Sequence, residues 1–443
     1  MKVKLIKPTI GRQEHSLYVD EGRMEPLMLG VLAGLTPPDV ELVLHDDRME
    51  SIPYDDPADL VAITVETYTA RRAYEIAGQF RRRGVPVILG GMHVSLLPEE
   101  AAAHADSIFI GDAEAGWPRV IADARAARLR PRYHGAPGAA QAGGVQPRRD
   151  LFKGKGYLPI ALMQFSRGCR FACGFCAVSQ YFGRKHYLRR IAEVVAEIES
   201  QARRFIFFVD DNIASDRAAL RELCHALIPL RVHWISQASL DVTQDRELMG
   251  LMEKSGCWGN VMGFESISPA SLRDARKSPN IPDFSHYERE VAVLREHGMQ
   301  TWAAFTLGHD HDTLDSIRAT VDFALRSKFA FAAYNILMPY PGTPLYRRLA
   351  EENRLLYDGK WWLHPEYRFN HAAFLPARMS PDELTAACHA ARTRYNSFGC
   401  LARRFSDWKT HLRSAARALS YWRYSLLFRK EVFKKHGMRF GLR

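Results

Sequence analysis

The strongest constraint on the fold of this 443-residue chain is a repeated alternation of short, nearly continuous apolar runs with stretches of helical periodicity. In residues 1–128 the runs are 3–10, 40–47, 60–65, 85–91 and 107–112, with helical stretches at 25–34, 69–83 and 113–127. A strand that is apolar on both faces must be covered on both, which a parallel sheet between two layers of helices achieves. The expectation is a doubly wound, Rossmann-like α/β domain that takes its ligand at the carboxyl ends of the strands. Those ends offer Thr9 and Arg12, Thr64 and Glu66, Gly90, Gly91 and His93, and Gly111 and Glu114.

Residues 129–156 are rich in Gly, Pro, Ala and Gln, without apolar periodicity, and are expected to be a linker. A second α/β series follows, with strands at 160–166, 204–212, 232–240, 259–266, 301–308 and 332–342 and a helix after each but the last. Six βα units are too few for the usual eight-stranded barrel, so an open, partial barrel over 157–350 is expected, with its chemistry at the C-terminal strand ends. Trp302, Tyr334 and Asn335 are expected to line it and meet substrate. Residues 351–443 read as mainly helical, and Ser380 followed by Glu383 is a capping-box signature.

At 47% hydrophobic and 25% charged, the composition is that of a globular protein. No apolar run approaches the length of a spanning helix, and the first residues read as a strand and not a secretory signal, so the expected location is the cytoplasm. In that compartment clustered cysteines point to metal binding or catalysis, not disulfides. Of seven cysteines, Cys224, Cys257, Cys388 and Cys400 are scattered and read as small core residues.

The other three form one tight group, Cys169, Cys173 and Cys176, directly after a strand. A structural zinc site takes four ligands, usually as two paired sets. No second pair is near, and His186, the one candidate fourth ligand, stands ten residues away. Three thiolates on a cubic four-iron cluster leave one iron open to a substrate or cofactor.

C-x3-C-x-Φ-C with an aromatic Φ (Phe175), after the first strand of a partial barrel, resembles the radical S-adenosylmethionine (SAM) superfamily. The resemblance implies a [4Fe–4S] cluster whose open iron chelates SAM, reductive cleavage to a 5′-deoxyadenosyl radical, hydrogen abstraction, and a flavodoxin- or ferredoxin-type electron donor. It extends to FFVDDN at the second strand end, SQAS at the third, MGFESIS at the fourth and MPYPGTPLY after the sixth. It therefore implies SAM contacts from Phe175, Asp210, Asp211, Ser236, Gln237, Glu265 and Ser266. A helix cap is the alternative for the two aspartates, and a buried ion pair for Glu265. The fifth strand end departs from the family pattern. LGHDHDT puts His309 and His311 where small residues are usual, either for proton chemistry or as a solvated polar turn.

An α/β domain ahead of such a barrel is similar to the cobalamin-binding branch of the superfamily, which includes anaerobic Mg-protoporphyrin ester cyclase and hopanoid C-2 methylase. The resemblance covers roughly residues 1–350 and implies methylation of an unactivated carbon of a small-molecule or lipid-like metabolite. Radical cyclisation or oxidation without cobalamin, and a non-catalytic iron–sulfur or zinc protein, are the alternatives. The D-x-H-x-x-G ligand motif is missing, since His15, His45, His93 and His104 lack an Asp two residues earlier, so any cobalamin is expected without a histidine ligand. Gly90, Gly91 and Gly111 would let backbone approach a large cofactor, or would simply make tight turns.

Ten of the eleven net positive charges lie in residues 401–443, so the basic balance belongs to the tail, and no nucleic-acid partner is expected. There Trp408, Leu412, Ala416, Leu419, Trp422 and Leu426 recur at helical spacing among cations. Such a helix suits peripheral contact with an anionic membrane; the alternatives are packing on the barrel with a solvated basic face, or an acidic substrate.

Overall fold

The computed structural model describes residues 1–12, 23–136, 138, 145–280 and 287–442; His15 lies outside them. The chain divides into two compact units.

The first unit comprises Met1–Leu158, Tyr357–Phe369 and Gly437–Arg443. Its sheet holds β1 (Lys2–Lys7), β2 (Glu41–Asp46), β3 (Leu60–Thr64), β4 (Val87–Gly90), β5 (Ser107–Ile110) and β6 (Arg132–His134). All are parallel, in the order β2-β1-β3-β4-β5-β6. The chain reverses direction between β1 and β3, the topological switch point of a doubly wound sheet. Helices Leu27–Leu35, Ala70–Arg81 and Trp117–Arg125 match the three expected ones within a few residues.

The segment expected to be a linker is instead partly structural. Residues 132–134 form the edge strand β6, and Phe152 is buried in the core with Leu29, Ala33 and Trp117. A Cβ on Gly30 would stand 2.9 Å from the Phe152 ring, so that glycine makes room for it. The strand signal was missed because β6 is three residues long, with only Tyr133 pointing inward. The C-terminal region is likewise divided, since residues 357–369 and 437–442 join the first unit, where Gly441 N–H bonds the carbonyl of Ile10 at 2.9 Å.

The second unit comprises Pro159–Leu356 and Asn370–His436. Its main sheet is an open run of six parallel strands: β7 (Ala161–Met163), β10 (Phe205–Phe208), β11 (His233–Ala238), β12 (Cys257–Glu265), β13 (Trp302–Leu307) and β14 (Phe331–Ile336). Between β7 and β10 an unforeseen antiparallel hairpin forms from β8 (Ser166–Gly168) and β9 (His186–Leu188). Helices following β10 to β14 begin on capping side chains: Asp216, Asp245, Ser268, Thr313 and Thr343 each accept the N–H three residues on. The caps fix where each loop ends, at the carboxyl edge of the sheet.

Burial alternates along the strands. On β13, Ala303, Phe305 and Leu307 are buried, while Trp302, Ala304 and Thr306 are half-buried. Tyr334 identifies the covered face, its ring 5.6 Å from Tyr395 of helix Pro381–Tyr395. It is fully buried there, which removes it from the substrate-facing set. The other face is concave and lined toward its top by Gln237, Gly263, Ala304, Thr306, Ala333 and Asn335. Trp302 is also corrected. It starts β13, at the sheet's opposite end from the cysteines, and packs tilted against Phe428 with ring centres 4.4 Å apart.

Candidate functional site

The cysteine loop leaves β8 at Gly168, whose φ of +84° and neighbouring backbone exclude a side chain: a Cβ would meet the Lys185 carbonyl at 2.2 Å. Two aspartates from the end of β10 hold this strand. The fully buried Asp210 carboxylate accepts the Phe165 N–H at 3.1 Å, the Ser166 N–H at 2.5 Å and the Ser166 hydroxyl. Burial pushes its pKa up to about 7 against those donors. Asp211 accepts the Gly168 N–H at 2.7 Å. Neither aspartate is a helix cap, a task taken by Asn212 and Asp216. Asp210 therefore positions the loop, and with its oxygens so engaged it does not face a cofactor.

The three thiols sit in a set of donors suited to thiolates. Asn212 Nδ2 is 3.6 Å from Cys169 Sγ, and its amide also bonds Ser239. Burial pushes Cys176 up, while the N–H groups of Ser179 and Val178 and the charge of Lys277 oppose it. Burial likewise raises Cys173, to about 11, with Lys277 again opposing. Among the described residues no three Cys, His, Asp or Glu side chains are grouped to hold one metal ion. A cuboidal cluster is different, since it takes one thiolate at each of three irons, and N–H donors to its sulfur atoms tune it. The loop's donors fit that group. His186 stands opposite Gly168 in the hairpin, not within a ligand set.

The loop backbone is tied from two later segments. Gly174 N–H donates to the Ala275 carbonyl at 2.8 Å, and Gly174 C=O accepts from Leu345 N–H at 2.9 Å, in the turn after β14. Arg170 reaches Asp241 at 2.8 Å, which also holds Arg217. Phe175 is half-buried beside the cysteines.

Glu265 ends β12 with φ of +62°, a costly conformation for a residue with a Cβ, just past a register shift against β13. It pairs with Lys277 at 3.0 Å, and both side chains are nearly buried. A Cβ on Gly263 would stand 2.2 Å from the Glu265 carboxylate and 2.7 Å from Lys277 Nζ, so a side chain there would push the ends of the pair aside. The ion-pair alternative for Glu265 is thus what the fold contains. Lys277 was not legible, because it sits in a polar stretch that reads as loop. Ser236 bonds the Phe208 carbonyl at 3.0 Å and supports the sheet, Gln237 donates to the Asp210 carbonyl at 3.1 Å, and Ser266 accepts the Ser268 N–H at 3.0 Å.

The LGHDHDT turn is neither solvated nor loose. Asp312 accepts the N–H groups of Gly308 and His309, and Asp310 pairs with Arg354 at 2.7 Å. His309 is buried, with Nε2 2.8 Å from Thr306 Oγ1, at the upper end of the concave face. His311 lies outward, 2.8 Å from Asp274.

In the first unit, His93 is fully buried with both ring nitrogens engaged, by Thr67 and Glu100 at 3.2 Å each. That excludes it from contact with a ligand. Thr9 is buried against Asp47 and Gly11, and Arg12 also reaches Asp47, at 3.4 Å. Glu66 pairs with Lys7 and caps the turn at Thr69. Gly91 and Gly111 have positive φ, and a Cβ on either would strike a carbonyl, that of Val65 at 2.7 Å or Gly135 at 2.0 Å. Close packing therefore explains both. Gly90 is different: an added Cβ would stand in ordinary contact, 3.7 Å from Phe109 Cβ. With half-buried Thr64, Gly111 and Glu114 it stands at the carboxyl ends of β3 to β5, where a doubly wound sheet takes its ligand.

Residues 163–324 match the profile of the Radical SAM superfamily. Two curated relatives come from Chlorobaculum tepidum. Bacteriochlorophyllide d C-12(1)-methyltransferase is 28% identical over 400 residues, covering 86% of this chain and 84% of the relative. Bacteriochlorophyllide d C-8(2)-methyltransferase is 29% identical over 358 residues, covering 75% and 78%. Among solved structures, the cobalamin-dependent SAM radical enzyme OxsB, with aqua-cobalamin and SAM bound, shares the fold at a TM-score of 0.70 and 13% identity, over 97% of this chain and 71% of its own.

Proposed function

We propose that this chain, in which residues 163–324 form a radical SAM domain, is a cobalamin-dependent methylase acting on an unactivated carbon of a small molecule. The observation that carries the reading is the thiol loop: Cys169 beside the Asn212 amide, Cys176 beside the N–H groups of Ser179 and Val178, Cys173 and Cys176 both under the charge of Lys277, and the loop held by two aspartates from the next strand. When bound, a [4Fe–4S] cluster with SAM supplies a 5′-deoxyadenosyl radical for hydrogen abstraction, and cobalamin, recharged from a second SAM, supplies the methyl group.

The chain's own part is positioning. Asp210 and Asp211 fix the direction in which Gly168 releases the loop, and Asn212 and Lys277 offset thiolate charge in a buried setting. Phe175, Gln237, Glu265 and Ser266 are the residues we assign to SAM, and Thr64, Glu66, Gly90, Gly111 and Glu114 those we assign to cobalamin. On that face Ala304 and Ala333 are small, and Gln237, Thr306 and Asn335 are polar. The names of the two relatives support a large ring system of the bacteriochlorophyllide kind as substrate. His309, through Thr306, is the residue we assign to orient it. The reading includes a flavodoxin- or ferredoxin-type electron donor and peripheral membrane association through residues 401–443.

The test is anaerobic reconstitution with iron, sulfide and cobalamin, followed by assay with SAM carrying a deuterated methyl group. The reading expects a cobalamin absorbance spectrum, 5′-deoxyadenosine, and a substrate mass gain from the labelled methyl. Formation of 5′-deoxyadenosine at full rate without cobalamin, and no label in product, would overturn it in favour of a radical reaction that needs no methyl donor.

A further inference from the structure

The helix Ala415–Lys435 packs on the second unit by one face and presents a different apolar face outward. Inward, Arg417, Tyr421 and Ser425 are buried at four-residue intervals. Arg417 donates to the Trp258 carbonyl at 3.3 Å and to that of Gly298, and its guanidinium lies 5.1 Å from the Trp258 ring. Burial pulls its pKa down to about 10. The Phe428 ring packs tilted against Trp302 at 4.4 Å and edge-on to Phe331 at 5.0 Å. This inward face closes the base of the barrel, and it is not the stripe that the sequence spacing singles out.

That stripe turns the other way. At 100° per residue, Leu419 and Leu426 fall nearly opposite the buried row. Leu419 is 70% exposed and Leu426 46% exposed, with exposed Arg423 and Lys430 along one edge. Just before the helix, Trp408 is 76% exposed, and Phe398, 61% exposed, lies 4.5 Å from the Arg429 guanidinium. Of the seven large apolar side chains that are exposed among the described residues, these are four, all within residues 398–426. Clustering of that kind marks an interaction surface.

We propose that this face docks on an anionic lipid bilayer, with Leu419, Leu426, Trp408 and Phe398 entering the headgroup boundary and Arg423 and Lys430 meeting lipid phosphates. Charge decides between occupants. The exposed charged residues beside Leu419 and Leu426 are Arg423 and Lys430, and the helix's one acid, Glu431, pairs with Lys435, so two copies meeting face to face would bring like charges together, whereas acidic headgroups complement the cationic edge. No helix among the described residues is long and apolar enough to cross a membrane, so this one lies in the interface plane. The proposal gives a partner and a face to the membrane association read above and does not depend on the methyl-transfer chemistry.

Co-sedimentation of the full chain with phosphatidylglycerol-containing and with pure phosphatidylcholine vesicles tests it. The wild-type chain is expected to partition onto the anionic vesicles and far less onto the neutral ones. Arg423→Glu/Lys430→Glu should lower the partition coefficient by about thirtyfold or more, from about fivefold per lost cation. Leu419→Asp/Leu426→Asp should do at least as much, and Trp408→Ala less. Circular dichroism and SAM cleavage in vesicle-free solution should match the parent in all variants, which separates loss of docking from loss of fold or chemistry. Equal binding to both vesicle types overturns the proposal, as does wild-type-like binding by both double variants. Failure to bind vesicles combined with a dimer in sedimentation equilibrium that Leu419→Asp abolishes overturns it in favour of a second copy.

Discussion

Replacing Lys277 by Met tests how the cysteine loop is supported electrostatically. In the parent, Lys277 Nζ is 3.0 Å from Glu265 Oε1, and the two side chains are 13% and 8% exposed. Its charge also opposes the burial that raises Cys173 and Cys176. The variant leaves the Glu265 carboxylate nearly buried, at a positive φ it cannot easily leave, beside thiols that ligation makes anionic. Breaking a buried pair by removing one partner costs about 3–5 kcal/mol, whereas replacing both by neutral groups costs little. Lys277→Met should therefore lose about 3–5 kcal/mol, and Lys277→Met/Glu265→Gln should recover most of it, a coupling of ~2–4 kcal/mol. Anaerobic urea unfolding of the reconstituted protein, followed by tryptophan fluorescence, measures both. The double variant should still bind iron but reduce at a more negative potential, because a cation that stabilises the reduced cluster is gone. A single variant within about 0.5 kcal/mol of the parent, or a double variant as unstable as the single, would refute the reasoning.

Gly263→Ala should reach a similar end by sterics, displacing the same pair, with reduced iron retention and little gain from adding Lys277→Met. Asp210→Ala strips an acceptor from three buried donors at Phe165 and Ser166, so a loss of about 2–4 kcal/mol and poor cluster incorporation by iron analysis are expected. Cys176→Ala should abolish SAM cleavage while circular dichroism stays unchanged; residual 5′-deoxyadenosine at the parental rate would remove the cluster assignment. His411 is fully buried, and burial pulls its pKa down to about 4 from an unfolded value near 6.5. The unfolded chain then binds the proton first, so His411 adds no penalty above pH 6.5 and costs up to about 3 kcal/mol as pH falls from 6.5 to 4. Thermal melts of His411→Phe should show a shallower acid limb than the parent.

Most strands of the two sheets were legible because each is a short apolar run and the helices between them are long and periodic; β6, three residues with only Tyr133 inward, was not. What was not legible is where strands stop. The run 204–212 was expected to be strand throughout, yet β10 ends at Phe208, because Asp210 and Asp211 turn to bond Phe165, Ser166 and Gly168. Residue type placed those aspartates at the site but could not distinguish a cofactor contact from a support for the loop. Asn212 stood in the same quoted segment, and only its distance to Cys169 gives it a role. Lys277 and the Arg170–Asp241 pair carry no local signal, since their partners are about 12 and 71 residues away. In the tail the helical spacing is legible and the packed face is not: Leu419 and Leu426 point outward, while Arg417, a charged residue, is buried.

The two hydrogen bonds of Gly174 set an order on how this protein is made. Its N–H waits for Ala275 and its C=O for Leu345, partners synthesised about 100 and 170 residues later. Contacts of such separation close slowly and late. The cysteines leave the ribosome long before the turn that braces them exists, so for that interval they are three reactive thiols on an unfinished sheet. A chain truncated before Leu345 is therefore expected to keep all three thiols yet hold iron poorly, which iron analysis after anaerobic reconstitution would check.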